Sequence, residues 1–235
     1  MKPLPCIALI VAGGSGRRVG GNLPKQYQKI SEKPILAYSM QAFESCPAID
    51  EIHLVAHEDY RELIINMVKK YKINKFCKIY PAGNTRQESV SAGIQNLPDE
   101  SFILIHDAAR PFIKAIDIEC VINEVKIHKT AILANYVSDT IKVADDNCNI
   151  IQTPNRKNLY AAQTPQGFYG EIIKKAHEKA KINGIFASDD AALVECDFPV
   201  KIIIESKPEL NFKITTQFDL LFAEFLTTQI EDDVP

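Results

Sequence analysis

The segment 6–27 constrains the fold most strongly, because an apolar run, a glycine-rich turn and a group of cations follow one another there. Residues 6–12 have the pattern of a buried strand, and the glycines that follow release the backbone into a loop that only small residues permit. Backbone amides without side-chain bulk, together with nearby guanidinium and ammonium groups, can hold a polyphosphate. The segment therefore predicts a nucleotide site built from Gly13, Gly14, Gly16, Arg17, Arg18 and Lys25.

This loop differs from the two best-known phosphate loops. A Walker loop needs Lys and then Ser or Thr directly after its last glycine, whereas arginines follow Gly16. A dinucleotide fingerprint that starts at Gly14 requires glycine where Val19 stands, and Pro24 prevents a long helix directly after the loop. The sequence therefore indicates a third kind of phosphate loop. The alternative is a surface turn with scattered basic residues.

Composition narrows the class of protein. The chain has 235 residues, which we interpret as one domain over 1–235, and its net charge of -3 argues against nucleic acid as the main partner. The loop cations therefore predict a small anionic ligand. The six cysteines lack the paired spacing of a zinc site and the density of a disulfide framework, so neither is expected, and they suit a reducing cytoplasm. The apolar stretch 7–12 is too short to span a bilayer, so no membrane association is expected.

Short apolar runs alternate with amphipathic stretches along the chain. The runs are 52–56, 102–106, 131–134 and 200–204, and the clearest amphipathic stretches are 59–72 and 172–181. This alternation predicts an α/β domain with a mainly parallel sheet and helices on both faces. Ligands of such folds bind beyond the carboxyl ends of the strands, where the glycine loop would lie.

One region breaks this pattern. Residues 137–158 alternate like a β-hairpin with a turn at 145–147, and they contain too few apolar residues to belong to the core. We expect them to project from the domain as an arm.

Two segments place polar groups near the predicted ligand edge. Residues 83–90 look like a loop that enters a helix, whose free amides and Ser89 hydroxyl could contact a base or ribose, although helix capping would explain the same residues. Asp107 and Arg110 directly follow a buried strand and should emerge at the ligand edge. A structural salt bridge between these two side chains is the alternative.

Three further segments are ambiguous when taken alone. Residues 163–168 and 188–190 are polar clusters beside short apolar runs, and loops or helix N-caps would explain both. Lys213 lies in a strand-like segment and could be only the exposed charge of a strand.

Together, these segments resemble the 2-C-methyl-D-erythritol 4-phosphate cytidylyltransferase family of non-mevalonate isoprenoid synthesis over nearly the whole chain. The resemblance rests on 14–25, 86–93, 106–111, 139–142, Arg156, 162–168, 189–195 and 211–215. It implies a Rossmann-like nucleotidyltransferase domain, a homodimer with exchanged β-arms, Mg²⁺, and transfer of a cytidylyl group from CTP to methylerythritol 4-phosphate with release of pyrophosphate. Two positions depart from the family pattern: Gly13 replaces the second alanine of an Ala-Ala-Gly opening, and Ala82 stands where a Gly-Gly pair usually begins.

The reaction implied by this resemblance brings two polyanions together, so cations must neutralise their approach. By resemblance, Arg18 and Lys25 stabilise the transition state, whereas Lys213 and Arg156 orient the attacking phosphate. The resemblance places the nucleotide beside Ala12, Gly13, Gly14, Gly16, Gly83, Asn84, Ser89 and Ala108. It places the acceptor beside Asp107, Arg110, Thr140, Thr164 and Ser188. Mg²⁺ would be held mainly through the CTP phosphates.

Two alternatives stay open at this point. Ribitol 5-phosphate cytidylyltransferases share the fold, the glycine loop and a Gln-Thr-Pro-Gln segment, but Ala109, 161–162 and 190–195 resemble the methylerythritol family more closely. The other alternative is a catalytically silent relative that binds a nucleotide as a sensor. The joint presence of the four cations Arg18, Lys25, Arg156 and Lys213 argues against it.

Overall fold

The computed structural model describes residues 3–14, 23–204 and 210–232. The strands in this part of the chain are β1 (Cys6–Val11), β2 (Lys29–Ile30), β3 (Lys33–Pro34), β4 (Glu51–Ala56), β5 (Phe76–Pro81), β6 (Phe102–Asp107), β7 (Thr130–Tyr136), β8 (Val143–Ala144), β9 (Ile150–Gln152), β10 (Tyr160–Tyr169) and β11 (Lys201–Ile204). The helices are α1 (Ile35–Ser45), α2 (Arg61–Lys70), α3 (Arg86–Ile94), α4 (Ala115–His128), α5 (Gly170–Asn183), α6 (Ala191–Val194) and α7 (Gln217–Asp232).

Seven strands form the central sheet in the order β11-β7-β10-β6-β1-β4-β5. Neighbouring strands run parallel except at β10, which is antiparallel to both β6 and β7. The predicted fold class, a mainly parallel sheet with helices, is confirmed. Because β1, β4, β5 and β6 all run in one direction, their carboxyl ends meet at one edge and can share a ligand site.

The sheet has a packed core on each face, which explains why its central strand is apolar throughout. Along β1, Cys6, Ala8 and Ile10 pack on one side, with residues of α1 and α4. Ile7 and Leu9 point to the other side, against residues of α3 and α5. Successive strand residues face opposite sides, so a strand covered on both faces needs a continuous apolar run.

The apolar runs predicted as strands correspond to β4, β6, β7 and β11. The amphipathic stretch 59–72 contains α2, and the stretch 172–181 lies within α5. The loop alternative for one segment and the strand-like interpretation of another do not match the structure. The polar segment 163–168 lies inside β10 rather than in a loop, and a register shift between Ala162 and Gln166 accommodates Pro165 within that strand. The segment 211–215 is irregular rather than strand-like, because its polar groups bond to several other segments instead of to a neighbouring strand.

The region predicted to form an arm contains the antiparallel pair β8 and β9. Asp145 closes the turn between these strands, since its Oδ1 accepts hydrogen bonds from the backbone N–H groups of Asn147 and Asn149. Residues 138–153 are exposed throughout. Within the described ranges, no helix combines the length and the apolar character needed to cross a bilayer.

Candidate active site

A cavity of about 640 Å³ opens at the carboxyl ends of β1, β4, β5 and β6. Its lining comes from segments that are far apart in sequence. They are the end of β1 and the following loop (Val11, Ala12, Gly13, Gly14), a 3-10 turn (Lys25, Gln26), the residue after β4 (His57), the start of α3 (Gly83, Asn84, Thr85, Arg86, Ser89), the end of β6 (Asp107, Ala108, Ala109) and the segment before α7 (Lys213, Thr215).

Side chains hold the glycine loop by its carbonyl oxygens. Gln26 is buried, and its Nε2 donates hydrogen bonds to the oxygens of Ala12 and Gly14 at 2.6 and 2.8 Å. His57 Nε2 donates to the oxygen of Gly13 at 2.7 Å. These bonds fix the peptide planes at the mouth of the cavity, as an anion-binding loop requires. The predicted site residues Gly16 and Arg18, like Arg17, lie outside the described residues.

The start of α3 is both a helix cap and a wall of the cavity. Thr85 Oγ1 accepts a hydrogen bond from the N–H of Glu88 at 3.1 Å, and the Glu88 carboxylate accepts one from the N–H of Asn84 at 2.8 Å. Ser89 Oγ accepts from the N–H of Gly83 and donates to the carbonyl of Thr85. The capping alternative therefore describes these bonds correctly, and the same bonds shape the segment that lines the cavity.

Charged groups converge on Asp107 at the end of β6. Arg86 Nε donates to Asp107 Oδ1 at 2.8 Å, and Lys213 Nζ donates to Asp107 Oδ2 at 2.7 Å. Burial alone would raise the pKa of the Asp107 carboxyl, but the two cations hold that pKa well below its usual range. The carboxylate is therefore ionised and holds a lysine at the cavity.

Lys25 joins the same site through the segment that carries Lys213. Its Nζ donates to the carbonyl oxygen of Ile214 at 2.6 Å. The N–H of Ile214 in turn donates to the carbonyl of Ala109, directly after β6. One short segment therefore places two lysines at a single cavity, although Lys25 and Ile214 are 189 residues apart in sequence.

Arg110 and Thr164, predicted beside the acceptor, are not among the described residues that line the cavity. Arg110 does not pair with Asp107 through its side chain; its Nη1 donates to the carbonyl of Asn211 at 2.6 Å. Thr164 is buried, and its Oγ1 accepts a hydrogen bond from the N–H of Asp107 at 3.0 Å. Both side chains support the segments that form the cavity, because their polar groups are directed at those segments.

The other predicted contacts lie outside the cavity of this single chain. Ser188 is exposed and is not one of the described lining residues. Thr140 and Arg156 belong to the exposed arm, where Arg156 Nη1 donates to the carbonyl of Ser138 at 2.9 Å. The remaining predicted residues that the structure describes all line the cavity; they are Ala12, Gly13, Gly14, Lys25, Gly83, Asn84, Ser89, Asp107, Ala108 and Lys213.

Seven lining residues were not predicted as site residues; they are Val11, Thr85, Ala109, Thr215, Gln26, His57 and Arg86. The last three hold other groups of the cavity wall in place. Gln26 and His57 hold carbonyl oxygens, and Arg86 holds a carboxylate, so none of them forms a motif by itself. The sequence signal for two of them was their closeness to predicted site segments: Gln26 follows Lys25 directly, and Arg86 lies in the segment 83–90.

One cluster of possible metal ligands occurs among the described residues, away from the cavity. Glu51, His53 and Cys77 have ligand atoms within 4.8 Å of one another, on β4 and β5. A hydrogen bond of 2.8 Å between His53 Nε2 and the Glu51 carboxylate accounts for this contact without a metal ion.

A mainly parallel sheet with a small-residue loop after its first strand, and with two lysines that line the same cavity as that loop, is the arrangement of an α/β nucleotidyltransferase. A family model for 2-C-methyl-D-erythritol 4-phosphate cytidylyltransferase matches residues 6–229. The chain therefore belongs to this family. The predicted family, fold and cytidylyltransferase activity are confirmed.

Individual relatives agree with the family match. The chain is 41% identical over 221 residues to the 2-C-methyl-D-erythritol 4-phosphate cytidylyltransferase of Desulforamulus reducens, covering 93% of this chain and 94% of that one. It is 37% identical over 227 residues to the enzyme of the same name from Shouchella clausii, covering 97% and 98%. The crystal structure of 4-diphosphocytidyl-2C-methyl-D-erythritol synthase from Anaerococcus prevotii superposes with a TM-score of 0.85 at 31% identity, covering 96% of each chain.

Proposed function

We propose that the cavity binds CTP against the glycine loop and the start of α3, and binds methylerythritol 4-phosphate on the side of Asp107 and Lys213. The observation that carries this assignment is the convergence of Lys25 and Lys213 on one cavity through the segment 213–214. Two polyanionic substrates need such cations, because their phosphates repel each other in an uncharged site.

The proposed reaction is a direct displacement. A phosphate oxygen of the acceptor forms a bond to the α-phosphorus of CTP, and the bond from that phosphorus to the bridging oxygen of the β-phosphate breaks. The products are 4-diphosphocytidyl-2-C-methyl-D-erythritol and pyrophosphate. The attacking oxygen is already ionised at neutral pH, so no side chain has to remove a proton. Lys25 and Arg18 would stabilise charge at the α-phosphate, and Lys213 would orient the acceptor phosphate.

The proposed cofactor is Mg²⁺, carried mainly by the CTP phosphates. Both oxygens of the Asp107 carboxylate already accept hydrogen bonds from cationic side chains, so this carboxylate is not a ready ligand for a metal ion. A largely cationic cavity fits an ion that keeps waters and phosphate oxygens as ligands. Bound in this way, Mg²⁺ would neutralise part of the triphosphate charge.

The proposed assembly is a homodimer in which the arm completes the site of the partner subunit. Thr140 and Arg156 are exposed on the arm of the single chain, and so are the apolar side chains Val143, Ile150 and Ile151. An exposed hairpin that carries apolar residues favours contact with another protein surface. The protein is expected to act in the cytoplasm, in agreement with its six free cysteines.

Pyrophosphate release tests this function. The purified protein with Mg²⁺ would be offered CTP with methylerythritol 4-phosphate, CTP with ribitol 5-phosphate, and ATP or GTP with methylerythritol 4-phosphate. We expect the first pair to give the highest kcat/KM. Faster release with ribitol 5-phosphate or with a purine nucleotide would contradict the substrate assignment, and no release with any pair would favour the silent nucleotide-binding relative.

A further inference from the structure

A buried chain of hydrogen bonds runs from α5 to the lysine at the cavity. His177 Nε2 is 3.1 Å from Asp190 Oδ1, and Asp190 Oδ2 accepts a hydrogen bond from Arg86 Nη1 at 2.8 Å. Arg86 Nε continues the chain to Asp107 Oδ1, and Asp107 Oδ2 holds Lys213. His177 and Asp190 are not among the described residues that line the candidate active site, and Arg86 and Asp107 lie between them and Lys213.

The chain is built to hold Arg86 in one orientation. Its guanidinium donates to two carboxylates through different nitrogens, which fixes the plane of the group. Asp190 is only 1% exposed and His177 only 3%, so water has little access to replace a bond lost between them. The N–H of Asp190 also donates to Gln166 Oε1 on β10, which anchors the backbone at this point.

The charges of Asp190 and Arg86 stabilise the pairing between these two side chains. Burial by itself would raise the pKa of Asp190, but Arg86 and the hydrogen bond from His177 lower it below its ordinary value. The opposed carboxylates raise the pKa of Arg86 against the effect of its own burial. Two carboxylates and two cations, Arg86 and Lys213, therefore balance one another along the chain.

We propose that His177 and Asp190 are positioning residues that orient Arg86, so that Asp107 holds Lys213 in the position from which it contacts the acceptor phosphate. The inference rests on the proposed function, because it takes Lys213 as a ligand of that phosphate. Loss of the bond from His177 would leave the Asp190 carboxylate held only by Arg86, which would loosen the chain at its far end, while the nucleotide side would keep its contacts.

The test compares two buried histidines that each contact a carboxylate. His177→Leu breaks the chain, and His53→Leu removes the bond to Glu51 on β4, which does not lead to the cavity. We expect His177→Leu to raise the KM for methylerythritol 4-phosphate roughly tenfold, with the KM for CTP changed less than about twofold. His53→Leu should lower the melting temperature without raising the acceptor KM.

Conservative variants and a double-mutant cycle separate positioning from stability. His177→Gln keeps a donor near the place of Nε2 and should restore most of the acceptor KM. Asp190→Asn, which keeps the side-chain volume, should reproduce the defect and decides the question if His177→Leu does not fold. In a Lys213→Ala background, His177→Leu should have little further effect on the acceptor KM, because the two residues act in one chain.

The outcomes distinguish the proposed role of Lys213 from the proposed positioning role of His177 and Asp190. If Lys213→Ala leaves both kcat and the acceptor KM unchanged, the proposed role of Lys213 is wrong. If Lys213→Ala impairs the acceptor step while Asp190→Asn and His177→Leu do not, the positioning chain is wrong. An equal rise of the acceptor KM in His53→Leu and His177→Leu would also overturn it, since general loosening of the fold would then explain the effect.

Discussion

Ala82 occupies the space into which a side chain at Gly13 would extend: a Cβ at position 13 would lie 2.6 Å from Ala82 Cβ. These are the two positions noted in the resemblance as departures from the family pattern, and they follow β1 and β5. In this chain the methyl group of Ala82 fills the space between the two loops, and a methyl group at position 13 would need the same space.

The first prediction follows from this contact. Gly13→Ala alone should destabilise the protein by about 1–3 kcal/mol and weaken CTP binding, since two methyl groups would compete for one space. The backbone of Gly13 is outside the left-handed region, so alanine introduces no conformational strain there. Gly13→Ala combined with Ala82→Gly should recover both properties. Urea unfolding and the KM for CTP would measure the coupling between the two substitutions. If their effects simply add, the two positions do not compete for one space.

The second prediction concerns the chemical step. Lys25→Ala should lower kcat by ~10²–10³-fold, the usual effect of removing one preorganised group that stabilises charge. CTP binding should weaken less. Lys29→Ala is the matched control, because Lys29 follows closely in sequence but is exposed and paired with Glu32. Near-normal turnover of Lys25→Ala would show that Lys25 is only a surface cation.

The third prediction tests the arm. We expect homodimers of Lys25→Ala and of Arg156→Ala to be inactive by themselves, and to regain activity when they are unfolded and refolded together. Random pairing makes half of the dimers mixed, and each mixed dimer has one intact site if Arg156 acts on the partner subunit. Roughly a quarter of the wild-type sites should therefore return. Each variant refolded alone is the control, and a sample shown to be mixed yet inactive would rule the exchange out.

The fourth prediction is a pH dependence of stability caused by His106. Its neutral ring is fully bonded: Nε2 donates to the carbonyl of Arg110, and Nδ1 accepts from Thr164 Oγ1, both at 3.1 Å. Burial lowers the pKa of His106 to about 4, whereas the unfolded chain has the ordinary value of about 6.5. Between these values the unfolded state binds more protons, so the free energy of unfolding should fall as the pH falls, by roughly 3 kcal/mol in total.

Urea unfolding between pH 7 and pH 4.5 would measure this slope. His106→Gln should be less stable at pH 7 but should lose less stability on acidification, because glutamine does not titrate. Asp107 should not contribute in this window, since its pKa is lowered and its stabilisation is lost only at more acidic pH. An equal slope in the variant and the wild type would assign the effect to other groups.

Most strands of the central sheet could be predicted, because a strand that is buried on both faces needs a continuous run of apolar residues. The strands β4, β6 and β7 appear in the sequence as apolar runs. Such a run can be recognised without knowing which strand pairs with it. β10 was missed, since its segment 163–168 is polar and interrupted by proline. Its polar side chains are buried through bonds to other segments, and no periodicity in the sequence reveals bonds of that kind.

The candidate site, like the sheet, could be predicted only in part. The class of ligand could be predicted from the sequence, because glycines followed by cations are suited to hold a polyphosphate. The bonds from Arg86 to Asp107 and Asp190 could not be predicted, because these residues are 21 and 104 positions away from it and meet only in the folded chain. Such pairs form only where packing of helices against the sheet brings the groups within about 3 Å in a place that excludes water. Sequence order does not encode that distance.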